Sequence, residues 1–479
     1  MITIENCKQD RTYEFKGLST DVKPTNCGVN SLFLELDTGF FYFFDGTNWV
    51  KRKKGNQYSY FKSLIDRSIS ELPEKLTEGI SKIHRRTFIG CSNLNEVAIA
   101  PGVNLIEERA FFYCNRLVHL TLPEGIKNIE LCAFEGCSNL RNLQIYNGIE
   151  KIGDYAFKSC ILLSNVNIEG NIYSIGKSAF ESCESLRKYY IPDSLQKLGE
   201  RAFKNCIGLG EIKIPYGITR IELETFKGCR NATKLDININ LKYIGQQAFE
   251  GCSSLEYIGV NLVEEIDYRA FGDCTSIMSV RTTNRLKKIG DKSFQGCTAL
   301  TFIKIPNSTR QSNGGWWTGG SFQGCTSLAE VEIEDGVDRI GNYTFAGCTA
   351  LKKINFPGSL GDVGNIGHHS FEGCTSLMNI DLKAGITYIG KYAFAGCFLL
   401  NDVTLPMTLS TIEEHAFDYN GLMAMHINAI SPPSLGASAI KRWHLLETVL
   451  PHILVPTISV EVYRRANGWS DFADLIQTL

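Results

Sequence analysis

Cysteine is the reactive side chain that recurs most regularly in this sequence. Of the 17 cysteines among 479 residues, fourteen stand three residues after a phenylalanine: Cys91, Cys114, Cys137, Cys160, Cys183, Cys206, Cys229, Cys252, Cys274, Cys297, Cys325, Cys348, Cys374 and Cys397. Such a ladder could form disulfides between adjacent copies, bind metal, or consist of buried thiols that act as small apolar groups. Metal is disfavoured because one cysteine per copy lacks the paired Cys-x-x-Cys spacing of a zinc site. We expect buried free thiols, since a fifteenth copy carries Asn420 in this position.

The remaining residues form no catalytic pattern. Gly176-Lys177-Ser178 has the ending of a phosphate-binding loop, but the preceding glycine, Gly170, lies one position too far away. His368 and His369 are adjacent without a third ligand, which is more typical of surface residues than of a metal site. No nucleophile or acid pair is accompanied by a supporting histidine. The sequence predicts a protein that is not an enzyme, with no catalytic residue, no metal and no cofactor.

The candidate ligand-binding residues are four aromatic side chains. Trp316 lies in a glycine-rich insertion, where an exposed indole could stack on a sugar or anchor a protein, whereas its neighbour Trp317 falls in a core position. The other three, Tyr190, Tyr257 and Phe302, occupy solvent-facing positions of predicted strands. Residues at these outward positions vary from copy to copy. That variation is consistent with a recognition surface and equally with a face that is merely solvated.

A repeat positions all of these residues. One phenylalanine recurs fifteen times, and twelve of the fourteen intervals are 22 or 23 residues long. The two longer intervals, of 28 and 26 residues, indicate insertions at about 307–320 and 358–367. A fixed period of this length is the signature of a solenoid. The repeated residues are Phe88, Phe111, Phe134, Phe157, Phe180, Phe203, Phe226, Phe249, Phe271, Phe294, Phe322, Phe345, Phe371, Phe394 and Phe417.

Each copy predicts two strands joined by a corner. In the copy that begins at Ile149, the alternation over 163–168 predicts a strand with its apolar residues inward and Asn165 in water. The segment 149–153 would return along the opposite wall, with Gly153 supplying backbone freedom at the bend. One coil alone orders many residues around few buried side chains, so the array needs neighbouring coils and capped ends.

The text Leu-x-x-Ile-x-Ile-Pro followed by Ile-x-x-Ile-Gly-x-x-Ala-Phe-x-Gly-Cys resembles the BspA-like subclass of leucine-rich repeats over about residues 80–428. The resemblance implies a mainly β fold: a right-handed leucine-rich-repeat solenoid of about 15 coils, with a parallel sheet on its concave face and binding or adhesion as its usual task. We expect an N-terminal β meander at 1–57, an N-terminal cap at 58–79, the repeats at 80–428 and a C-terminal cap at 429–479. In that last cap, a strand at 453–456 and a helix at 460–466 would lead to Trp469, covering the final coil.

Residues 1–57 do not carry the repeat. Turn sequences separate three predicted strands, at 31–36, 40–44 and 49–52. The sequence at 17–25 and 36–49 resembles a short module of structural proteins from tailed bacteriophages and prophages. This resemblance implies docking to other virion proteins. The alternative is a local β cap without a partner. The basic run at 51–55 is typical of a solvated linker, and a short helix at 60–65 and an incomplete strand at 69–73 follow it.

Two functions fit these observations. The first is a phage virion structural or host-recognition protein, located in the virion, which binds other virion proteins through 1–57 and a host-surface protein or glycan through the repeats. The alternative is a bacterial BspA-like adhesin or protein-interaction scaffold at the cell surface. The first residues do not match an export signal, so we expect no export by that route, which favours the first function, whereas the repeats alone favour the second. A formal net charge of −2 and the lack of a long apolar run predict no nucleic-acid partner and no membrane insertion, and a homo-oligomer is compatible with both functions.

Overall fold

The computed structural model contains two compact units, residues 1–206 and 207–479. Within them the structure describes residues 81–309, 319–337, 339–356, 364–440 and 451–479, and, nearer the N-terminus, 3–7, 13–17, 23, 32–35, 41–44, 47, 49–52 and 70–72. The regular elements of the repeats are short parallel strands. The predicted fold is confirmed as a mainly β, parallel solenoid of about 16 turns.

The first unit begins with a five-stranded sheet whose strands follow the chain order: β1 (Thr3–Cys7), β2 (Tyr13–Gly17), β3 (Leu32–Glu35), β4 (Phe41–Phe44) and β5 (Trp49–Arg52). The three predicted strands are confirmed as β3, β4 and β5, which pair antiparallel. The predicted meander is incomplete, because β1 and β2 extend the sheet and β2 pairs parallel with β3. A register shift between Ile4 and Asn6 breaks the alternating pattern by which β1 could be recognised in the sequence. Because β2 and β3 pair parallel, no hairpin turn between them marks the pair in the sequence.

In the first unit, each repeat turn contributes a strand to each of two walls. The front wall consists of β6 (Glu71–Leu72), β8 (Glu96–Ala98), β10 (His119–Thr121), β12 (Asn142–Ile145), β14 (Asn165–Ile168) and β16 (Lys188–Tyr190). The back wall consists of β7 (Lys82–Ile83), β9 (Leu105–Ile106), β11 (Asn128–Ile129), β13 (Lys151–Ile152), β15 (Ser174–Ile175) and β17 (Lys197–Leu198). Equivalent residues of adjacent turns lie opposite each other, such as Asn142 and Asn165. Strand β6 confirms the incomplete strand predicted at 69–73.

The second unit has the same two walls. Its front wall comprises β18 (Glu211–Lys213), β20 (Lys234–Asp236), β22 (Tyr257–Gly259), β24 (Ser279–Arg281), β26 (Phe302–Ile305), β27 (Glu330–Ile333), β29 (Lys353–Asn355), β31 (Asn379–Asp381), β33 (Asp402–Leu405), β35 (Ala424–Ile427), β37 (His452–Val455) and β38 (Ile476–Thr478). Its back wall comprises β19 (Arg220–Ile221), β21 (Tyr243–Ile244), β23 (Glu265–Ile266), β25 (Lys288–Ile289), β28 (Arg339–Ile340), β30 (Gly364–Ile366), β32 (Ile386–Ile389), β34 (Thr411–Ile412) and β36 (Ser434–Leu435).

The phenylalanine corner joins successive turns. Each repeat phenylalanine is buried, and within each unit the rings of adjacent turns are stacked. The ring centroids of Phe134 and Phe157 are 5.2 Å apart with an interplanar angle of 2°. Beside the rings, the backbone N–H of Phe134 donates to the carbonyl of Ala156 at 2.8 Å. Within each unit, such a corner therefore combines dispersion contacts with a backbone hydrogen bond to the next turn.

The fourteen repeat cysteines are buried, as the sequence predicts, and they are free thiols in this structure. The thiol of Cys160 donates to the carbonyl of Phe134 in the preceding turn, with 3.4 Å between sulfur and oxygen. Thirteen other turns also carry a cysteine at this position, and most of these thiols make the equivalent bond. The Cys183 thiol, for example, donates to the carbonyl of Phe157 at 3.3 Å. Cysteine suits the position because it is a small, apolar residue that still offers a weak donor. Asn420 instead donates its amide to the carbonyl of Phe417.

The prediction that Gly153 supplies backbone freedom at the bend is wrong. Its φ lies outside the left-handed region, so the bend does not require a glycine. A Cβ at this position would instead lie 2.8 Å from the carbonyl carbon of Glu130 in the preceding turn. The glycine therefore allows two turns to approach closely. The left-handed residues of this corner are Tyr155 and Ser159, with φ values of 57° and 58°.

Several predicted features lie outside the described residues. These are Trp316 and Trp317, the basic residues at 53–55, the helix at 60–65, most of the predicted N-terminal cap and the centre of the second insertion. The candidate binding role of Trp316 accordingly stays a prediction.

The C-terminal segment contains the predicted strand and helix. Strand β37 precedes a 3-10 helix (Thr457–Ser459), helix α1 (Val460–Arg465) and a second 3-10 helix (Ser470–Leu475), and β38 then pairs parallel with β37. Trp469 is buried, and its indole N–H donates to the carbonyl of Pro433 at 2.7 Å. The Tyr463 hydroxyl donates to the carbonyl of Ala429 at 2.8 Å. These bonds hold the segment on the turn that follows β35, while its capping role stays a prediction.

We expect Phe157→Ala to destabilise the protein by about 3 to 5 kcal/mol, because it leaves a ring-sized cavity between the rings of Phe134 and Phe180. Urea unfolding measures this loss. The matched control is Tyr146→Ala, which removes an exposed ring from the same unit and should change stability by about 0.5 kcal/mol or less. Equal stability of the two variants would contradict the corner's role.

We expect the fourteen repeat cysteines to react slowly with a maleimide in the native protein and quickly in denaturant. Burial raises the pKa of the Cys160 thiol well above its usual range, so the reactive thiolate is scarce as well as inaccessible. Time-resolved mass spectrometry counts the labelled sites. Rapid native labelling of most repeat cysteines, or disulfides between adjacent turns, would show the assignment to be wrong.

Candidate functional site

The outward side chains of the front wall form two columns in the second unit, one from the first residue of each strand and one from the third. Most of these side chains are exposed or half-exposed, as the sequence predicts. Parallel pairing places equivalent residues next to each other, so residues about 23 positions apart become neighbours. The backbone groups of these strands bond within the sheet, and the side chains are left to make contacts with a ligand.

Tyr257, Ser279, Arg281 and Phe302 form what we call the aromatic patch. Ser279 lies opposite Tyr257 on one side and Phe302 on the other, in three adjacent strands. Tyr257 is 43% exposed and Phe302 is 39% exposed, so both rings reach solvent. The structure therefore brings together two of the four predicted binding residues.

Tyr257 and Arg281 are held against each other by the shape of their strands. Gly259 lies opposite Arg281, and a Cβ at Gly259 would be 3.4 Å from the Tyr257 hydroxyl, so the ring lies along its own strand. The guanidinium carbon of Arg281 is 5.7 Å from the centroid of that ring, within cation–π range. Within the described part of the chain, Arg281 has no ion-pair partner. Glycine at 259 thus makes room for an aromatic–arginine pair that the sequence alone does not reveal.

Ion pairs between adjacent strands flank the aromatic patch. On one side, Lys234 Nζ lies 2.6 Å from Glu211 Oε1, and this hydrogen bond raises the pKa of the lysine. On the other side, Lys304 Nζ lies 2.7 Å from Glu332 Oε1, and Lys353 and Glu330 pair at 2.6 Å. These charges largely neutralise one another and are exposed enough to add little stability. The patch is therefore a less polar area between two blocks of paired charge.

The other predicted residues do not join this patch. Tyr190 is 60% exposed and lies in the first unit, at the third position of β16 opposite Asn167. His368 and His369 are half-buried in the second unit. The ring of His369 stacks between Tyr343 and Tyr392, with centroids 4.5 and 4.9 Å away. Within the described residues there is no group of three or more side chains placed to hold a metal ion.

The sequence analysis did not identify a groove in the first unit, which we call the arginine groove. Its volume is about 550 Å³, and it is open to solvent along one side. The groove lies at the start of strands β12, β14 and β16, where the residues preceding each strand form a column of their own. Its lining residues are Arg141, Asn142, Leu162, Ser164, Asn165, Ser185 and Arg187.

Across the described ranges, no helix is both long enough and apolar enough to cross a bilayer.

Solved structures with leucine-rich repeats are similar to this chain. A leucine-rich repeat protein from Bacteroides ovatus is 27% identical over 85% of this chain and 94% of its own, with a TM-score of 0.62. The Treponema pallidum leucine rich repeat protein is 26% identical over 39% of this chain and 76% of its own, with a TM-score of 0.30. A leucine rich cell surface protein from Faecalibacterium prausnitzii is 18% identical over 74% and 94%, with a TM-score of 0.39. No curated protein sequence matches this chain.

The family comparison agrees with the repeat described above. The BspA type leucine rich repeat region matches residues 68–187, 173–301 and 318–445, well over half of the chain. The match begins after the five-stranded N-terminal sheet, and nothing in the comparisons points to a phage module there. No enzyme family is indicated. On this evidence the chain belongs to the family of BspA type leucine-rich repeat proteins.

Proposed function

We propose that this protein is a non-enzymatic binding protein, an adhesin or interaction scaffold of a cell surface, which holds a protein partner against the aromatic patch. Membership of the BspA type family favours this function over a virion role, for which the comparisons offer no support. Docking through residues 1–57 stays a separate prediction, because those residues lie outside the family match.

The observation that carries the proposal is the exposure of Tyr257 and Phe302 beside Arg281. Tyrosine and arginine are the residue types that most often dominate the binding energy of protein interfaces. A central cluster of such side chains inside a polar rim is also the usual anatomy of an interface. The ion pairs of Lys234 with Glu211 and of Lys304 with Glu332 supply that rim.

Arg281 contributes to this surface in a specific way. Its cation–π contact with Tyr257 limits the orientations that the guanidinium can adopt, so less side-chain entropy is lost on binding. The N–H groups of a guanidinium can still donate hydrogen bonds in the plane of the guanidinium while its face contacts an aromatic ring. A partner that places a carboxylate or carbonyl beside an apolar side chain would satisfy both parts of the pair.

Binding is tested with an array of purified extracellular matrix proteins, followed by surface plasmon resonance on any protein that binds. We expect Tyr257→Ala and Phe302→Ala each to weaken that binding about tenfold or more, because each removes a ring from the centre of the interface. The matched control is Tyr268→Ala, which removes an exposed tyrosine that follows back-wall strand β23. Binding that is unaffected by either front-wall variant, or no binding to any matrix protein, would count against the proposal.

The same variants should fold normally. Because both rings are exposed, we expect Tyr257→Ala and Phe302→Ala to change the free energy of unfolding by about 0.5 kcal/mol or less. Urea unfolding of each variant beside the unmodified protein measures this. A loss of several kcal/mol would mean that the rings belong to the core and that weaker binding reports misfolding.

A further inference from the structure

We propose that the arginine groove of the first unit binds an acidic polysaccharide, a chain of sugar rings that bears carboxylate or sulfate groups. This site is distinct from the aromatic patch, and the proposal does not depend on the function assigned to that patch. Four properties of the groove support it: the spacing of its cations, their lack of acidic partners, the polar groups between them and the engaged backbone beneath.

The two arginines are held at a regular spacing by the sheet. The N–H of Ser164 donates to the carbonyl of Arg141 at 2.8 Å, and the N–H of Arg187 donates to the carbonyl of Ser164 at 2.9 Å. Arg141 and Arg187 are thus two turns apart, about 10 Å at the usual strand separation. A polymer with charged groups at a regular interval matches two cations that are themselves set by a regular ladder.

The arginines of the groove have no acidic partner within the described ranges. The lysines around the back wall of this unit differ, since Lys127 pairs with Glu150 at 3.8 Å and Lys177 pairs with Glu200 at 3.2 Å. Lys188, opposite Asn165, adds a third cation beside the groove. A concave site lined by charge of one sign attracts the opposite sign, and a guanidinium can bind carboxylate or sulfate with two hydrogen bonds.

Between the arginines lie groups suited to sugar hydroxyls. The Asn165 amide donates to Asn142 Oδ1 at 3.0 Å and approaches Ser164 Oγ at 3.2 Å. The structure shows no partner, among the residues it describes, for the amide nitrogen of Asn142 or the amide oxygen of Asn165. One donor and one acceptor are therefore available on this amide pair, and each can bond a sugar hydroxyl. Leu162, which is 39% exposed, offers an apolar surface for the C–H face of a ring.

The engaged backbone favours a polysaccharide over an acidic peptide. Strands β12, β14 and β16 pair with one another, so their N–H and C=O groups are used within the sheet. A peptide laid across this face would have to leave its own backbone groups to water or to the few side chains present. A polysaccharide has no amide backbone to satisfy, and its hydroxyls match the asparagines and serines of the groove.

The test uses short oligomers of polygalacturonate, dextran sulfate and neutral dextran, together with poly-L-glutamate, measured by isothermal titration calorimetry on the full chain. We expect polygalacturonate, dextran sulfate or both to bind, neutral dextran not to bind, and the affinity to fall as salt is raised. The comparison of the first two oligomers tells carboxylate from sulfate. We expect Arg141→Gln and Arg187→Gln each to weaken binding about tenfold.

The matched control is Arg85→Gln, which removes the same charge from an arginine of the same unit that is paired with Glu108 at 3.7 Å. It should bind like the unmodified protein. The proposal is overturned if neither acidic oligosaccharide binds, if poly-L-glutamate binds more tightly than both, or if Arg85→Gln weakens binding as much as Arg141→Gln. Because both groove arginines are exposed, thermal unfolding of the variants should match that of the unmodified protein.

Discussion

The stacked phenylalanine corner is the constraint on which the rest of the repeat depends. Its rings remain stacked even where the chain between them is longer. Phe294 and Phe322 are 28 residues apart instead of 22 or 23, yet their centroids are 5.5 Å apart and their planes differ by 2°. Phe345 and Phe371, 26 residues apart, stack at 5.4 Å. An insertion is therefore tolerated where it leaves the corner in place, because the corner carries both the ring contacts and a hydrogen bond between turns.

The parts of the fold that repeat could be predicted from the sequence. Inward positions recur because each is buried against the same position of the next turn, so spacing alone identified the phenylalanines, the cysteines and the outward location of Tyr257 and Phe302. The parts that do not repeat were predicted less well. Strand β1 was missed because a register shift interrupts its alternation. The role of Gly153 was misassigned, because a glycine is needed there to leave space for the backbone of Glu130 in another turn, and not to allow an unusual φ.

The aromatic patch could be predicted in part from the sequence, whereas the arginine groove could not. The aromatic patch contains large side chains that stand out individually, although the contact between Arg281 and Tyr257 depends on the space above Gly259. The arginine groove contains ordinary polar residues. What distinguishes Arg141 and Arg187 is the absence of acidic neighbours within the described ranges, and that property depends on which residues the adjacent turns place beside them. A search for motifs along the chain has no access to it.

The ladder also determines what kind of recognition the front wall can perform. Because its backbone hydrogen bonds are made between turns, a ligand meets side chains alone, and adjacent turns supply them about 4.8 Å apart. Most outward charges are already balanced by a neighbour, as Lys353 is by Glu330. Exchange of an outward residue leaves the buried columns untouched, so the surface can change with little effect on stability.

Specificity must then arise at outward residues that adjacent turns do not pair, such as an exposed aromatic ring or a cation without an acidic partner. The aromatic patch and the arginine groove are places of these two kinds. Salt should therefore weaken binding at the arginine groove more than binding at the aromatic patch, where burial of the rings adds to the contribution of Arg281 and does not depend on charge screening.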